Sequence, residues 1–348
     1  MNHTLLGLLR LVRFSNTPTA VADVVAGYML AVGTITQWPP LVALALASVC
    51  LYSFGMVLND LNDLDEDRMH NPQRPLVTGV ISMRAARWLV GVLLVGALMG
   101  AGVGGGLFHW AVADTVSMDN ENSLLLPPWS WSLLIVFALV LSIWLYDGPL
   151  KRSSVAPFVM GSCRGWNLLL GASLPAVSLV AVEDDATNLI GPWSYWTSDV
   201  WVCALAMTSY VTGITWYARS EATGPKRWHL FLGLLFLSVG VFLLAFGLLF
   251  VTDRPPGRAA IGTWEKFDLW WPLAVILLAY GVLRKAINGA LVATEKSVRT
   301  AIVTALGSLV FFNGAICLYA CPQEWPVAVA VAALMIPIKY LRLFIPPT

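Results

Sequence analysis

Stretches of about twenty predominantly apolar residues recur along almost the whole chain, and short polar segments separate them. A helix needs about 20 apolar residues to cross a bilayer, so each stretch predicts a membrane-spanning helix. Pro337 and Lys339 interrupt the final stretch. Ahead of the first, residues 1–15 combine two arginines with a short apolar run, which predicts an amphipathic helix lying on the membrane surface. The predicted spans are 17–36, 40–59, 85–109, 129–147, 155–181, 196–217, 227–251, 268–288, 299–320 and 325–344.

The composition leaves too few charged residues for a soluble protein. Of the 348 residues, 58% are hydrophobic and 12% are charged, whereas soluble domains carry roughly 25% charged residues. This balance excludes a soluble enzyme, a disordered protein and a nucleic-acid-binding protein, and the net charge of +1 gives no reason to expect a polyanionic partner. We predict an all-α integral membrane protein in which residues 1–348 form a single polytopic domain.

The distribution of basic residues orients the predicted helices. Loops on the cytoplasmic side of a membrane collect Lys and Arg. If the N-terminus is cytoplasmic, 17 of the 21 Lys and Arg residues lie on the cytoplasmic side, three lie outside, and Arg164 lies within a span. Many of the tryptophans then lie at the outer interface, as an aromatic belt does. We therefore expect both termini to be cytoplasmic.

An acidic cluster follows the second predicted helix, on the side that should be basic. On a continued helix, Asn59, Asp63 and Asp67 would share one face, and Asp60 would join it. Like charges stacked in this way repel, and a divalent cation would offset the repulsion. Oxygen ligands favour Mg²⁺, which proteins commonly hold with one or two carboxylates and a substrate's phosphate oxygens. The alternative is a solvated acidic loop without a ligand.

Two basic residues next to this cluster suit a phosphorylated substrate. Arg68 and Arg74 could hold diphosphate oxygens in bidentate fashion.

Within a span, Arg164 and Asn167 share a helical face, and a charge at that depth normally faces a polar interior or cavity. Arg164 has two open interpretations: it contributes to a cavity, or it ties helices together through backbone carbonyls.

The stretch NDLNDLDEDRMHNPQRPLVTGVIS, residues 59–82, resembles the first aspartate-rich motif of the UbiA superfamily of intramembrane prenyltransferases. The pattern N-D-x-x-D-x-x-x-D followed by R-P-L-x-x-G matches at every fixed position, and its place after the second helix matches too. The resemblance implies a bundle of nine to ten transmembrane helices around a central cavity. It also implies that Asp60, Asp63 and Asp67 are Mg²⁺ ligands and catalytic residues.

Two further segments extend the resemblance. Residues 146–152 resemble the tyrosine and lysine–arginine stretch after the fourth helix, which implies a catalytic role for Lys151 and substrate contacts for Tyr146 and Arg152. GSCRGWNLLLGAS, residues 161–173, resembles the fifth helix of the UbiA-like EboC branch. The substrate-binding residues expected from these three segments are Asn59, Arg68, Arg74, Tyr146, Arg152, Arg164 and Asn167.

The second aspartate-rich motif of the superfamily is degenerate here. Residues 213–227 keep a tyrosine–alanine pair at Tyr217, but Glu221 is the only acidic residue among them. Arg219 and Lys226 could neutralise a diphosphate as fixed cations in place of part of a metal's role. We include Tyr217, Arg219, Glu221 and Lys226 among the expected substrate-binding residues, and a one-metal or weakened site is the resulting hypothesis.

The favoured function is Mg²⁺-dependent transfer of a prenyl group from an allylic polyprenyl diphosphate to an aromatic or hydroxyl acceptor within the membrane. The expected partners are an isoprenoid diphosphate, a small-molecule acceptor and membrane lipid, in a bacterial inner membrane. The alternative is a non-catalytic or weakly catalytic EboC-like protein that acts in transport or export of a secondary-metabolite precursor. A third possibility is an unrelated transporter, which would carry charged pairs near the midplane of several helices.

Overall fold

The computed structural model describes residues 3–35, 37–113, 128–174, 196–223, 226–251 and 264–345. All the regular secondary structure in these ranges is helical. The α-helices, numbered in chain order, are α1 His3–Leu11, α2 Thr17–Val32, α3 Trp38–Asn62, α4 Leu64–His70, α5 Met83–Ala113, α6 Pro128–Asp147, α7 Ala156–Gly171, α8 Ser198–Thr223, α9 Arg227–Phe246, α10 Trp264–Val292, α11 Glu295–Ala320, α12 Trp325–Ala333 and α13 Met335–Phe344.

Seven helical stretches of the described chain are long and apolar enough to cross a membrane. They are α3, α5, α6, α9 with the turn that follows it, α10, α11, and the α12–α13 pair. The predicted count of nine to ten spans is therefore not confirmed. The helices α2 and α7 have only 16 residues each, short of the length that a span needs. Helix α8 has 26 residues, but serines and threonines reduce its hydropathy.

The predicted span 325–344 consists of two helices rather than one. Helix α12 ends at Ala333, and α13 begins at Met335 after a break at Leu334. Pro337 lies in the first turn of α13. Because proline has no backbone N–H and its ring clashes with the preceding turn, it is tolerated at a helix start and breaks a helix interior.

Helices α2 and α7 pack unusually closely. A Cβ atom on Gly27 would lie 1.8 Å from the carbonyl oxygen of Leu168, and one on Gly171 would lie 2.0 Å from that of Val24. Small residues at such contacts let helix backbones approach each other in membrane proteins. This contact holds the polar side chains of α2 and α7 against each other in the bundle interior.

A small apolar cluster at one end of α3 fixes the segment that carries the acidic motif. Leu11 of α1, Val57 of α3, Leu76 and Ile81 are buried together with Ala86 of α5. The cluster therefore docks α1 and residues 71–82 on the end of α3. We call this the acid-bearing end of the bundle, since it contains Asn59, Asp60 and Asp63.

Candidate active site

A cavity of about 180 Å³ opens between α2, α3, α6 and α7. Its walls are largely apolar, with Leu51, Met56 and Ile143 among the lining side chains. Asn59 and Asp147 line it at the acid-bearing end, and Arg164 and Asn167 line it deeper in the bundle. The cavity thus joins an apolar space to two polar regions.

Asp60 and Asp67 share one cationic nitrogen. Nη1 of Arg74 lies 2.9 Å from Oδ1 of Asp60 and 2.5 Å from Oδ2 of Asp67. Both carboxylates are almost fully buried, and Arg74 is 12% exposed. Arg13 approaches Asp60 to 3.7 Å. These two acids, seven residues apart, therefore converge on the guanidinium of Arg74, and Arg13 adds a second, more distant positive charge beside Asp60.

The loop before α5 brings Arg74 to these acids. Nδ2 of Asn71 donates a hydrogen bond of 3.1 Å to Asp67, and the amide of Arg74 donates to the carbonyl of Asn71. Gly79 has a φ of +74°, a left-handed conformation that glycine adopts without steric cost. The loop can therefore turn back so that Leu76 and Ile81 are buried while Arg74 faces the acids.

Asp63 forms a second pair with Lys151. Nζ of Lys151 donates to Oδ1 of Asp63, and it lies 3.3 Å from Oδ1 of Asn59. Lys151 comes from the loop between α6 and α7. Nearby, Nδ2 of Asn62 donates to the backbone carbonyl of Asp147, which ties the end of α3 to the end of α6.

The continuous helix expected through the acidic cluster is interrupted at Asp63. Helix α3 ends at Asn62, α4 begins at Leu64, and Asp63 has φ −94° and ψ 7°. Instead of one stacked face of four donors, the structure has two sets, Asp60 with Asp67 and Asn59 with Asp63. Each set faces its own cation, which relieves the repulsion that a single face would concentrate.

Several other predicted site residues are exposed or make their contacts elsewhere. Arg68 is exposed and pairs with Asp65 at 2.9 Å, and Arg152 and Lys226 are exposed. The hydroxyl of Tyr217 is buried and donates to the carbonyl of Ala286 on α10 at 2.7 Å. The side chain of Glu221 lies outside the described residues. In contrast, Tyr146 lines the cavity beside Asn59.

Arg164 and Asn167 join a buried polar network on α2. Nη1 of Arg164 lies 2.7 Å from Oδ2 of Asp23, and Nη2 lies 3.0 Å from Oγ1 of Thr19. Nδ2 of Asn167 donates to the same Asp23 oxygen at 3.0 Å. Asn313 of α11 donates to the other oxygen of Asp23 at 2.7 Å. Arg164 therefore both lines the cavity and ties helices together, through a carboxylate rather than through backbone carbonyls.

Sequence reasoning missed four polar residues at this site. Asp23, Ser48, Asp147 and Asn313 are all buried. Asp23 lies inside an apolar run, where a charged residue is costly and usually has a partner. That signal was available in the sequence, but only the fold pairs Asp23 with Arg164, 141 positions further on.

Arg13 is a further residue at this site that the sequence did not indicate. Its backbone lies in the left-handed region, with a φ of 47°, which is uncommon for a residue other than glycine. Its side chain lines the cavity and approaches Asp60. The turn between α1 and α2 therefore adds another cation to the acid-bearing end.

Residues 20–289 match the UbiA prenyltransferase family. The chain belongs to that family. Solved structures of UbiA-family proteins have the same fold. A UbiA homolog from Aeropyrum pernix has a TM-score of 0.55 and 18% identity, covering 88% of this chain and 98% of its own. A UbiA homolog from Archaeoglobus fulgidus, bound to GPP and Mg²⁺, has a TM-score of 0.53 and 15% identity, covering 87% and 99%.

Curated relatives match a shorter stretch of the chain. The digeranylgeranylglyceryl phosphate synthase of Methanoculleus marisnigri is 36% identical over 90 residues, which is 26% of this chain and 32% of the relative. The enzyme of the same name from Sulfolobus acidocaldarius is 35% identical over 80 residues, or 23% and 28%. The matches therefore span about a third of these relatives' lengths.

The carboxylates at the acid-bearing end of this UbiA-family chain are the kind of oxygen ligand that Mg²⁺ prefers. Among the described residues, no three His, Cys, Asp or Glu side chains converge as a ready-made metal site. However, Asp60 and Asp67 converge on Nη1 of Arg74, so two carboxylates already surround one positive charge. Two carboxylates completed by substrate phosphates are a common Mg²⁺ set. Those two residues would hold the ion once Arg74 turned away.

Proposed function

We propose that this chain transfers a prenyl group from an allylic polyprenyl diphosphate to an aromatic or hydroxyl acceptor inside the membrane, with Mg²⁺. The observation that carries the proposal is an apolar cavity whose end, lined by Asn59 and Asp147, lies next to the paired acids and bases. An isoprenoid tail suits the apolar walls, and each buried CH₂ contributes about 0.8 kcal/mol. The charged end suits the diphosphate.

The charged residues at that end have complementary roles in this proposal. Asp60 and Asp67 would supply two oxygen ligands, and Asp63, from the neighbouring set, would supply a third; Mg²⁺, when bound, stabilises negative charge on the departing diphosphate. Arg74 and Lys151 exchange their carboxylate partners for diphosphate oxygens, with which Arg forms bidentate hydrogen bonds. The bond between the allylic carbon and oxygen breaks, the electron pair leaves with pyrophosphate, and the acceptor bonds to that carbon and loses a proton.

The other predicted site residues have different places in this proposal. We infer that Tyr146 offers its ring to the developing allylic cation, an interaction worth about 0.5–2 kcal/mol. Arg164 and Asn167, which line the deeper part of the cavity, would contact a polar group of the substrate or acceptor. Arg68, Arg152, Tyr217, Arg219 and Lys226 would need to move to touch a diphosphate at the acid cluster, or act from a distance. Glu221, whose side chain lies outside the described residues, stays a predicted substrate contact.

The comparisons support a synthase more than a carrier. The Archaeoglobus fulgidus homolog was bound to GPP and Mg²⁺, and both curated relatives are named as synthases. A transport role of the EboC type, as well as membership of that branch, gains no support from them. The acid–base pairing at the cavity end also has a clear use in holding a diphosphate.

We further infer that α8 and the two longer apolar runs that contain α2 and α7, residues 17–36 and 155–181, cross the membrane with the seven apolar helices, which would give ten crossings and two cytoplasmic termini. At 1.5 Å per residue, the 26 residues of α8 extend about 39 Å, which exceeds the ~30 Å apolar thickness of a bilayer. The acid-bearing end would then face the cytoplasm of a bacterial inner membrane. Thiol labelling from either side of single-cysteine variants tests this topology.

Prenyl transfer can be tested with the purified protein in lipid nanodiscs. The protein would be incubated with geranyl or geranylgeranyl diphosphate, Mg²⁺, and a panel of phenols and glycerol-based alcohols, and products identified by mass spectrometry. We expect a prenylated product that disappears with EDTA. Diphosphate binding without any product or pyrophosphate release, across all donors and acceptors, would overturn the proposal.

A further inference from the structure

We propose that Arg219 is a positioning residue that holds the α6–α7 loop so that Lys151 reaches Asn59 and Asp63. For its effect on substrate this inference rests on the proposed function, but the positioning itself does not. Arg219 belongs to the segment in which the second aspartate-rich motif has lost most of its acids. Hydrogen bonds connect this segment to the first motif through the loop that carries Lys151.

The guanidinium of Arg219 is directed at the backbone of the loop that carries Lys151. Its Nη2 donates to the carbonyl oxygen of Lys151 at 3.1 Å and to that of Ser153 at 2.5 Å. The planar guanidinium fixes the direction of its hydrogen bonds, which a flexible ammonium does not. Arg219 therefore holds two alternate carbonyls of the loop in place at once.

The guanidinium of Arg219 also contacts an aromatic ring. Its guanidinium carbon lies 5.6 Å from the centre of the Trp216 ring, within the range of a cation–π interaction. Trp216 is buried and packs against Trp228 and His229, with ring centres 5.4 and 5.2 Å away. The guanidinium of Arg219 therefore packs on a ring of α8 that is itself packed against α9, and it also contacts the loop.

Lys151 completes the connection. Its backbone is held by Arg219, while its side chain contacts Asn59 and Asp63 on α3. Within the loop, hydrogen bonds join residues that are close in sequence, such as the one from the amide of Ser153 to the carbonyl of Leu150. The contacts thus run from α8, through the loop, to the acids of α3. A fixed loop would lower the backbone entropy cost of presenting Lys151 to a diphosphate.

A double-mutant cycle tests whether Arg219 acts through Lys151. The variants are Arg219→Gln, Arg219→Lys, Lys151→Met and Arg219→Gln with Lys151→Met, and the readout is binding of the non-ionising analogue geranyl thiolodiphosphate with Mg²⁺. We expect Arg219→Gln to weaken binding about tenfold, Arg219→Lys to restore part of it, and the double variant to match Lys151→Met. Additive losses would overturn the inference, because independent residues add.

The positioning can also be measured without substrate. Reductive methylation followed by mass spectrometry reports the reactivity of Nζ of Lys151, with Lys285 and Lys296 as internal references. We expect Arg219→Gln to raise the rate at Lys151 several-fold and leave the references unchanged, whereas the control Arg299→Gln, on the exposed surface of α11, changes none of them. An unchanged Lys151 rate would overturn the inference. If the wild-type protein bound no prenyl diphosphate, the proposed function would fail and this result would still decide the role of Arg219.

Discussion

At the scale of single residues, the acidic motif is neutralised by the chain's own cations. Arg74 forms salt bridges with Asp60 and Asp67, and Lys151 forms one with Asp63. Buried charges require such partners, since an unpaired one costs several kcal/mol. The same pairing means that a metal bound by these acids competes with Arg74 for their oxygen atoms.

Removing Arg74 should therefore strengthen metal binding in the absence of substrate. In Arg74→Gln, Asp60 and Asp67 lose their shared cation, and we expect Mn²⁺, measured by electron paramagnetic resonance as a Mg²⁺ substitute, to bind several-fold more tightly. Prenyl transfer should fall, because Arg74 also holds the diphosphate in this account. Arg84→Gln, at an exposed site, serves as the control. Weaker Mn²⁺ binding in Arg74→Gln would argue against competition.

Asp23 is the residue on which the deeper polar network depends. It accepts hydrogen bonds from Arg164, Asn167 and Asn313. Asp23→Asn would leave Arg164 without its buried counter-charge, and breaking a buried pair in this way costs about 3–5 kcal/mol. We expect a clear fall in the thermal unfolding midpoint in detergent. Replacing both partners, as Asp23→Leu with Arg164→Met, should recover part of the loss, and an equal or larger loss would contradict this view.

At the scale of helices, the close contact of α2 with α7 decides where Asp23 and Arg164 meet. The approach depends on Gly27 and Gly171, whose missing side chains let a carbonyl of the facing helix come near. Sequence alone indicates only that both helices contain small residues. Which glycine faces which carbonyl depends on the packing of the whole bundle.

Gly171→Ala should be destabilising by about 1–3 kcal/mol, the usual range for overpacking. The new Cβ would meet the carbonyl oxygen of Val24 at 2.0 Å, so the helices would have to separate. The matched control is Gly102→Ala on α5, where a Cβ has no neighbour within 4 Å. Thermal unfolding of both variants gives the comparison. Equal midpoints for the two would refute the importance of this contact.

At the scale of the whole molecule, the length of the apolar stretches predicted the helical class, because apolar length is a local property. The motif from Asn59 to Gly79 likewise located the acid cluster, with Arg74 close to it. The division of the acids into two sets was not predictable, since it depends on Lys151, which lies 88 positions from Asp63. Asp23 and Asn313 were missed for the same reason, being 290 positions apart. Contacts between distant segments follow from packing rather than from spacing.

The same limit applies to the helix count and to the second motif. Helix α2 has fewer helical residues than its apolar run suggested, because run length does not fix where a helix ends. For the run that contains α7, predicted as 155–181, residues 175–181 lie outside the described residues. For Arg219, charge alone suggested a diphosphate contact, whereas the fold directs it at the carbonyls of Lys151 and Ser153.

The role of the acid cluster is tested most directly by pyrophosphate release from a labelled allylic diphosphate, with the protein in nanodiscs, in Mg²⁺ or EDTA, for the wild type and Asp63→Asn. We expect release by the wild type with Mg²⁺, at least a hundredfold less with EDTA, and a similar loss in Asp63→Asn with its folding intact. A hundredfold loss corresponds to about 2.7 kcal/mol of transition-state stabilisation. Release that persisted in EDTA or in Asp63→Asn would contradict the central claim that this acid cluster drives ionisation of the substrate.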